Sequence, residues 1–481
     1  MLMLGPQERR RIWEQVFASV EGYVSGVDGL PVAPELDPIG LRALLEPFDF
    51  EQPLAPLEAI DFAARGLTRY QVHAPHPRYF GLFNPAPSTM GIAADTLVAA
   101  FNPQLAAWSH SPFAAEIEAH LVRAFGARFG YDPGAVDGTF TGGGAEANHT
   151  ALLTALIGRF PEIDEAGLRA VAGQPVFYTS SESHHSLVKA SRACGLGTAA
   201  LHEVACDNRF RLDPSALSAA LVRDRQAGLH PFMVVATAGT TAAGIVDPLR
   251  EIGDVAAAEG LWYHVDAAWG GAAALVPELR PLLDGIERAD SITFDAHKFL
   301  SVPMGASLYL TRHRDILGRT FRIETGYMPR DAAALEVVDP YVHSMQWSRR
   351  FIGLKVFLTL AVAGWEGYAA TIRRQTAMGD RLRARLRESG WDVVNDTPLP
   401  VVCFQDLRTP RGRTHEFVGQ IARRVVSSGQ AWISPAQVGP MPVLRACVTN
   451  FRTGPEHVDA LVQALDEARS GLAASTPGQE G

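Results

Sequence analysis

Short apolar runs alternate with helix-like stretches through the middle of the chain, from residue 86 to residue 355. Strands are predicted where β-branched and aromatic side chains cluster, at 175–179, 232–237, 261–265, 291–294 and 306–310. One of the helices between them is predicted to start at Asp247 and Pro248, as its cap and first residue. Strands that alternate with helices indicate an α/β fold with a mostly parallel sheet covered on both faces. Such sheets bind ligands at the carboxyl ends of their strands.

The two flanks of this large domain carry different patterns. Residues 1–85 are predicted to form helices interrupted by prolines, with apolar residues such as Ile12 and Val16 at helical spacing. Because this segment has too little apolar surface for a core of its own, we expect it to lie on another part of the molecule or on a partner subunit. Residues 356–470 predict a long helix followed by a smaller α/β domain, and residues 471–481 a loose tail.

Composition and charge argue against several classes of function. The formal net charge of −9 and the lack of a long basic run argue against a nucleic-acid surface. The four cysteines lack CxxC spacing, so we expect reduced thiols in a cytoplasmic protein and no bound metal. No apolar run reaches the roughly 18 residues of a membrane span, so no membrane insertion is expected.

Lysine is rare in this arginine-rich chain, which makes the surroundings of each lysine informative. Lys298 is one of three lysines and follows the predicted strand at 291–294, beside His297. Only lysine can condense with an aldehyde to form a Schiff base, and arginine cannot replace it. An apolar environment also makes the amine hold its proton less tightly. Lys298 is therefore a candidate for covalent chemistry.

Two polar segments are candidates for binding an anion or a flat ring. Residues 141–148 read Thr-Gly-Gly-Gly-Ala-Glu-Ala-Asn and open a helix, where free N–H groups and the helix dipole favour a phosphate. The alternative is a plain glycine turn. His184 and His185 follow the strand at 175–179, and a histidine there could cover one face of a ring. The alternatives are solvated histidines at a helix cap or a zinc site, for which no HExxH motif or cysteine partner is present.

Two further strand ends carry candidate ligands. Asp266 ends the strand at 261–265, where a carboxylate needs a partner such as a protonated ring nitrogen. The small side chain of Ala268 leaves room for that ring. Alternatively, Asp266 caps the following turn. The loop at 238–244 contains Thr241, which could bond a ring oxygen, or it is an ordinary connection between a strand and a helix.

The order of these features along the chain resembles the pyridoxal-phosphate-dependent group II amino-acid decarboxylases of fold type I, which include aromatic-L-amino-acid and glutamate decarboxylases. The resemblance covers nearly the whole chain. Its most specific motifs are His-Val-Asp-Ala-Ala-Trp-Gly at 264–270, Ala-His-Lys at 296–298 and Trp-Ser-Arg-Arg-Phe at 347–351. His-Pro-Arg-Tyr-Phe at 76–80 matches the start of the family's large domain.

By this resemblance, the candidate residues form one site for pyridoxal phosphate. Lys298 carries the cofactor as a Schiff base, and Asp266 keeps the pyridine nitrogen protonated. His185 and Ala268 cover the two faces of the ring, and the glycine turn holds the phosphate. The implied cofactor-binding residues are Lys298, Asp266, His185, Ala268, Thr241, Gly143, Gly144, Ala145 and His297.

The resemblance also implies a mobile loop that takes part in the reaction. In the family this loop carries a tyrosine that returns a proton to the substrate carbon, and loop closure excludes water. Here the loop corresponds to residues 326–348, and Tyr341 is the matching tyrosine, with Tyr327 as the alternative. Tyr341, Lys298, Asp266 and His185 are thus the implied catalytic residues.

Three further residues bear on the substrate. Phe80 and Phe83 indicate an apolar pocket, which favours an aromatic or other bulky apolar L-amino acid. Arg445 matches an arginine that can meet the substrate carboxylate in glutamate decarboxylases, or it is a salt-bridge arginine on a strand. Ala296 stands where the family usually has proline, and the glycine turn has no serine, so the sequence leaves the substrate open.

The expected reaction is decarboxylation of an L-amino acid to its amine and CO2. The alternatives are oxygen-dependent decarboxylation and deamination to an aldehyde, decarboxylation of an acidic amino acid such as glutamate, another fold-type-I reaction such as transamination, or a non-catalytic scaffold. The presence of Tyr341 and His185 favours simple decarboxylation. The family further implies a homodimer with active sites at the subunit interface, wrapped by residues 1–85.

Overall fold

The computed structural model of the chain describes residues 2–323, 325–326, 335, 337–409 and 411–474. Its α-helices are α1 (Pro6–Gly26), α2 (Pro38–Leu45), α3 (Pro56–Arg69), α4 (Thr89–Phe101), α5 (Pro112–Phe129), α6 (Gly144–Arg159), α7 (Ile163–Ala166), α8 (Ser186–Ala193), α9 (Pro214–Gln226), α10 (Leu249–Glu259), α11 (Ile316–Phe321), α12 (Gly353–Glu388), α13 (His415–Ser427) and α14 (Pro455–Ala474). Within these ranges, no helix is both long and apolar enough to cross a membrane.

Eleven strands are described. They are β1 (Asp137–Thr141), β2 (Pro175–Ser180), β3 (Leu201–Val204), β4 (His230–Thr237), β5 (Trp262–Asp266), β6 (Ser291–Asp295), β7 (Ser307–Thr311), β8 (Trp391–Val393), β9 (Val401–Asp406), β10 (Ser434–Val438) and β11 (Met441–Cys447). All five strands predicted for the large domain are present.

Seven strands form the large sheet, in the order β1-β7-β6-β5-β4-β2-β3. β3, β2, β4, β5 and β6 run parallel, and β7 runs antiparallel to both β6 and β1. Alternate residues of the central strands belong to two different apolar clusters, one on each face of the sheet. The predicted α/β fold with a mostly parallel sheet is therefore confirmed.

Four antiparallel strands form the small sheet, in the order β10-β11-β9-β8. In β9, Val401 and Cys403 pack into the apolar cluster of the large domain, whereas Val402 and Phe404 pack against the C-terminal helices. The alternation of side chains along one strand thus joins the two domains. The long helix α12 also spans both domains, and Gly364, with a φ of 64°, interrupts it.

The N-terminal helices bury few of their side chains. α1, α2 and α3 contain no buried residue. On α1, the large apolar side chains of Trp13 and Phe17 are 44% and 60% exposed. The predicted shortage of core-forming residues in this segment is therefore visible as apolar surface that this chain leaves uncovered.

The predicted helix cap at Asp247 is wrong. α10 begins at Leu249, and no side chain caps its N-terminus. The Asp247 carboxylate instead accepts hydrogen bonds from the backbone N–H groups of Leu212 and Thr237, at 2.8 and 2.7 Å. Burial raises the pKa of this carboxyl to about 6. Asp247 thus ties the end of β4 to the segment before α9, which local sequence spacing does not reveal.

Candidate active site

The amine of Lys298 lies just beyond β6, at the carboxyl edge of the large sheet. Its Nζ is 2.9 Å from Oδ2 of Asp295, the last residue of β6, whose side chain is only 2% exposed. The hydroxyl of Ser307 on β7 donates to the other oxygen of that carboxylate. This ion pair fixes the amine at the edge where sheets of this kind bind their ligands.

The surroundings of the other two lysines indicate structural or surface roles. Lys355 is buried, but its Nζ is bound by the Asp95 carboxylate at 3.2 Å and by the Met304 carbonyl at 2.8 Å. Lys189 is exposed on α8. Among the three lysines, all of which are described, Lys298 is the one whose amine pairs with the carboxylate at the end of β6.

The glycine turn starts α6 and places backbone N–H groups at the first turn of that helix. Among the described residues, none accepts a hydrogen bond from the N–H of Gly143, Gly144 or Ala145. A Cβ added to Gly143 would meet no atom within 4 Å, so the turn has room for a ligand. A Cβ added to Gly144 would lie 2.9 Å from the carboxylate oxygens of Asp295. The turn is thus an anion-binding helix start close to the partner of Lys298.

The Asp266 carboxylate ends β5 and is 5% exposed. Its Oδ2 accepts from the side-chain amide of Asn148 at 2.8 Å, and its Oδ1 accepts from the N–H of Ala268 at 3.1 Å. A carboxylate has about four acceptor positions, so two bonds leave capacity for a further donor. Ala268 is only partly buried, unlike its neighbours on both sides. These positions suit a protonated ring nitrogen beside Asp266 and a ring next to Ala268.

The charges of this site act on His184, one position before the predicted His185. Burial lowers the pKa of His184, and the charges of Asp266 and Lys298 act on its ring. Its Nδ1 accepts a hydrogen bond from the N–H of Ser186 at 3.2 Å. Both histidines are exposed, and His185 is the residue directly before α8. The structure thus favours His184 for the ring-covering role, because its imidazole interacts with both groups that would hold the ring.

Two other predicted residues border the site. His297 is buried, which lowers its pKa, and its Nδ1 lies 3.0 Å from the Ala306 carbonyl. Its Nε2 is 3.8 Å from Oδ2 of Asp295, the carboxylate that pairs with the lysine amine. Thr241 is exposed, and its carbonyl accepts a hydrogen bond from Nε of Arg445 at 2.9 Å. Both residues therefore contact groups that belong to the same site.

An aromatic stack forms one wall of the site. The ring of Phe83 stacks on Trp269 with centroids 4.5 Å apart, and Trp269 stacks on Phe299 at 4.9 Å. Nζ of Lys298 lies 5.6 Å from the Phe83 centroid, and the guanidinium of Arg445 lies 4.6 Å from it. The structure therefore brings the predicted substrate residues Phe83 and Arg445 together with the amine.

The prediction that Phe80 lines the substrate pocket is contradicted by its burial. Phe80 is 0% exposed and packs in the core of the small domain with residues such as Phe404. Its N–H donates to the Trp432 carbonyl, and its carbonyl accepts from the Cys447 N–H, each at 2.9 Å. The segment thus extends the small sheet at Phe80 and reaches the site three residues later, at Phe83.

Tyr341 lies in a short helix at 340–343. Its N–H donates to the Ala106 carbonyl at 3.1 Å, and its ring is 4.8 Å from that of Trp347. In the described part of the chain, no hydrogen bond, ion pair or ring contact joins Tyr341 to Lys298. The alternative, Tyr327, lies outside the described residues, as does much of the predicted loop.

Two residues of the site had no role assigned from the sequence. Asn148 follows Gly144 by four residues, one helical turn, so it lies on the same face of α6 as the glycine turn. Asp295 ends an apolar strand three residues before Lys298, the same placement that drew attention to Asp266. Helical spacing from the turn and polar residues at strand ends were the signals that could have identified them.

The residues present fit a cofactor with an aldehyde, a ring nitrogen and a phosphate. Lys298 offers the amine, Asp266 a buried acceptor with spare capacity, and the turn at 143–145 three N–H groups that have no acceptor in the described part of the chain. In the described ranges, no group of three or more histidine, cysteine, aspartate or glutamate residues could hold a metal ion. Fold and site together define an enzyme that carries out its chemistry with an organic cofactor held by lysine.

The model of the pyridoxal-dependent decarboxylase conserved domain matches residues 38–406, and the chain belongs to this family. The protein is therefore a pyridoxal-phosphate-dependent amino-acid decarboxylase of fold type I, as the sequence predicted.

Known proteins similar to this chain come from the same family. The chain is 32% identical to a tyrosine decarboxylase of Oryza sativa subsp. japonica, over 98% of this chain and 92% of that protein. The crystal structure of Oryza sativa TDC with PLP and tryptamine has a TM-score of 0.90 and 26% identity, covering 98% of this chain and 99% of the other. That of Rhodiola rosea 4-hydroxyphenylacetaldehyde synthase has a TM-score of 0.87 and 26% identity, with coverage of 98% and 99%.

Proposed function

We propose that this decarboxylase converts an aromatic L-amino acid to the corresponding amine and CO2. The observation that carries the proposal is the stack of Phe83 on Trp269 beside the amine of Lys298. A substrate ring gains apolar burial and face or edge contacts from such a wall. The rice tyrosine decarboxylase and the rice structure containing tryptamine support the same class of substrate.

For the cofactor, we infer one role for each group of residues. Lys298 holds the aldehyde carbon, Asp266 holds a proton at the pyridine nitrogen, and the N–H groups of the turn hold the phosphate. When bound, the cofactor supplies an electron sink for the electron pair left by CO2. The residues inferred to contact or border it are Gly143, Gly144, Ala145, His184, Thr241, Asp266, Ala268, His297 and Lys298.

Arg445 is proposed to bind the carboxylate of the substrate. Its Nε and Nη1 are already bound to the carbonyls of Thr241 and Gly81, at 2.9 and 2.8 Å. Its Nη2 is buried and has no hydrogen-bond partner among the described residues. A guanidinium held in this way presents its remaining N–H donors in a fixed direction. Since every amino acid has an α-carboxylate, this arginine suits an aromatic substrate as well as an acidic one.

We further propose a cytoplasmic homodimer in which Tyr341 supplies a proton to the site of the partner subunit. The apolar residues left exposed on α1 support a subunit contact. Within one chain, the described contacts of Tyr341 are the hydrogen bond to Ala106 and the ring contact with Trp347. All four cysteines are free, which agrees with a reducing compartment.

A panel of amino acids tests the proposed reaction. With L-tyrosine, L-tryptophan, L-phenylalanine and L-DOPA, the holoenzyme is expected to release CO2 and amine in equal amounts from at least one of them. L-glutamate is expected to react at least about tenfold less efficiently, the discrimination that one to three kcal/mol of apolar contact provides. The measurement is kcat/KM for CO2 release, with the amine quantified by chromatography. A preference for glutamate would reject the proposed substrate class.

The same assay separates amine formation from the second candidate reaction. The likeness to the Rhodiola rosea aldehyde synthase makes oxygen-dependent aldehyde formation the relevant alternative. It would consume oxygen and yield aldehyde, ammonia and hydrogen peroxide in place of the amine. Finding these products as the main ones would replace decarboxylation to the amine as the function of this chain.

Removal of the N-terminal segment tests the proposed dimer. Deletion of residues 1–70 is expected to give insoluble protein or an inactive monomer, because a covered apolar surface is lost on both subunits. A milder variant, Trp13→Ser/Phe17→Ser, is expected to weaken dimerisation, whereas Arg10→Ser on the same helix leaves it unchanged. Light scattering after size-exclusion chromatography gives the mass. A soluble, active dimer without residues 1–70 would contradict the proposal.

A further inference from the structure

A row of buried polar side chains reaches Asp266 from between β5, β6 and α6. Asn148 is 1% exposed and donates from Nδ2 to Oδ2 of Asp266 at 2.8 Å. Its Oδ1 accepts from the Thr293 hydroxyl at 2.8 Å and lies 3.2 Å from Nε2 of His264. Because a carboxylate can only accept, the amide nitrogen of Asn148 must face Asp266 and its oxygen must face His264. The orientation of the amide is therefore determined by its neighbours.

The tautomer of His264 follows from that orientation. Since the amide oxygen of Asn148 can only accept, Nε2 of His264 carries the proton. Its Nδ1 then accepts from the hydroxyl of Ser291, 2.8 Å away. The Ser291 oxygen accepts in turn from Nε1 of Trp262 at 2.9 Å, and an indole nitrogen can only donate. Every donor in the row thus points toward Asp266.

The histidine in this row is neutral at physiological pH. Burial lowers the pKa of His264 to about 4, so it brings no positive charge to Asp266. Aligned N–H and O–H dipoles in a poorly polarisable interior still stabilise the negative charge at the end of the row. The row therefore orients the Asp266 carboxylate without adding a positive charge, and the remaining acceptor capacity of the carboxylate stays available for a cation.

We propose that Asn148 and His264 are positioning residues that keep the pyridine nitrogen of the bound cofactor protonated by holding the Asp266 carboxylate in one orientation. This inference rests on the proposed pairing of Asp266 with that nitrogen. Both residues are buried, and both are proposed to act through the carboxylate. Loss of either lets the Asp266 carboxylate rotate away from the pyridine nitrogen, so the nitrogen loses its proton and the ring becomes a weaker electron sink.

The protonation state can be measured directly on the holoenzyme. The probe is pyridoxal phosphate labelled with ¹⁵N in the pyridine ring, observed by solid-state NMR at neutral pH. In the wild-type enzyme we expect the resonance of a protonated nitrogen. In Asn148→Ala and His264→Phe we expect it to move toward the unprotonated position. We expect kcat to fall about tenfold for each unit by which the pKa of the pyridine nitrogen decreases, with little change in KM.

Two controls separate this role from general packing. His264→Gln keeps an N–H donor close to the position of Nε2 and is expected to retain the protonated resonance. Thr154→Val removes a buried hydrogen bond of the same helix, between Thr154 and the Tyr309 hydroxyl, and is expected to match the wild type. A protonated resonance in cofactor-bound Asn148→Ala and His264→Phe would overturn the proposal, as would an equal shift in Thr154→Val. If Asn148→Ala does not fold, the two His264 variants decide.

The Asp266→Asn variant tests the pairing of Asp266 with the pyridine nitrogen, on which this inference rests. Asp266→Asn removes the carboxylate itself and is expected to give the unprotonated resonance together with a loss of activity. If Asp266→Asn keeps the protonated resonance, the pairing of Asp266 with the pyridine nitrogen is wrong. If Asp266→Asn shifts the resonance but the Asn148 and His264 variants do not, only the inference about the positioning residues fails.

Discussion

Lys298→Ala is expected to reduce amine release by about 10³-fold or more and to remove the visible absorption of the holoenzyme. The amine of Lys298 is the only one described at the site, and removal of a covalent catalytic group costs at least this order in kcat. Lys298→Arg provides the sharper comparison, because it keeps a positive charge beside Asp295 but cannot condense with an aldehyde. Both variants are expected to lack the absorption band of the Schiff base.

The matched control for this experiment is Lys189→Ala. Lys189 is exposed on α8. Its replacement by alanine is therefore expected to leave both the absorption spectrum and kcat unchanged. Since Lys298→Ala leaves the buried carboxylate of Asp295 without its cation, thermal unfolding of each variant should be measured alongside activity. A folded Lys298→Arg protein that still forms amine at the wild-type rate would reject Lys298 as the residue that holds the cofactor.

The large domain could be predicted from the sequence because its central strands are buried on both faces. β4 therefore reads as a continuous apolar run from Phe232 to Ala236, and Asp266 and Lys298 stand out at or just after the ends of β5 and β6. β1 escaped prediction, since Asp-Gly-Thr-Phe-Thr has little apolar character. Its place in the sheet depends on antiparallel pairing with β7, which is a long-range contact.

What the sequence leaves open at the site is the direction of side chains, because that direction depends on tertiary contacts. Phe80 and Phe83 are close in sequence, yet one packs in the small domain and the other faces Lys298. His184 and His185 precede a helix, and their order gives no indication of which ring meets Asp266. Asn148 is one polar residue among several in α6, and only the contact with Asp266 reveals its role.

A buried ion pair fixes the chain where the predicted mobile loop ends. Nη2 of Arg349 lies 2.7 Å from Oε2 of Glu118, and these side chains are 4% and 7% exposed. Oε1 of Glu118 also accepts from the N–H groups of Ile352 and Gly353, at 3.1 and 2.9 Å, where α12 begins. A Cβ at Gly353 would lie 2.6 Å from Cγ of Glu118, so glycine permits this close approach. One carboxylate thus joins α5, Arg349 and the start of α12.

Arg349→Met is therefore expected to lower the free energy of unfolding by about 3–5 kcal/mol, because it leaves the Glu118 carboxylate buried without a cation. The neighbouring Arg350→Met is the control. Arg350 is exposed, and its contact with the Asp95 carboxylate is long, at 3.5 Å. Loss of this surface ion pair is therefore expected to lower the free energy of unfolding by at most about 1 kcal/mol.

Glu118→Gln/Arg349→Met is expected to be more stable than the sum of the two single effects predicts, since the double variant no longer buries an unpaired charge. Urea unfolding of the holoenzyme, followed by circular dichroism, measures each difference if the transition is reversible. Equal stability of Arg349→Met and Arg350→Met would mean that the buried pair contributes no more than a surface contact. The segment at the end of the loop would then be held by apolar packing of residues such as Phe351 alone.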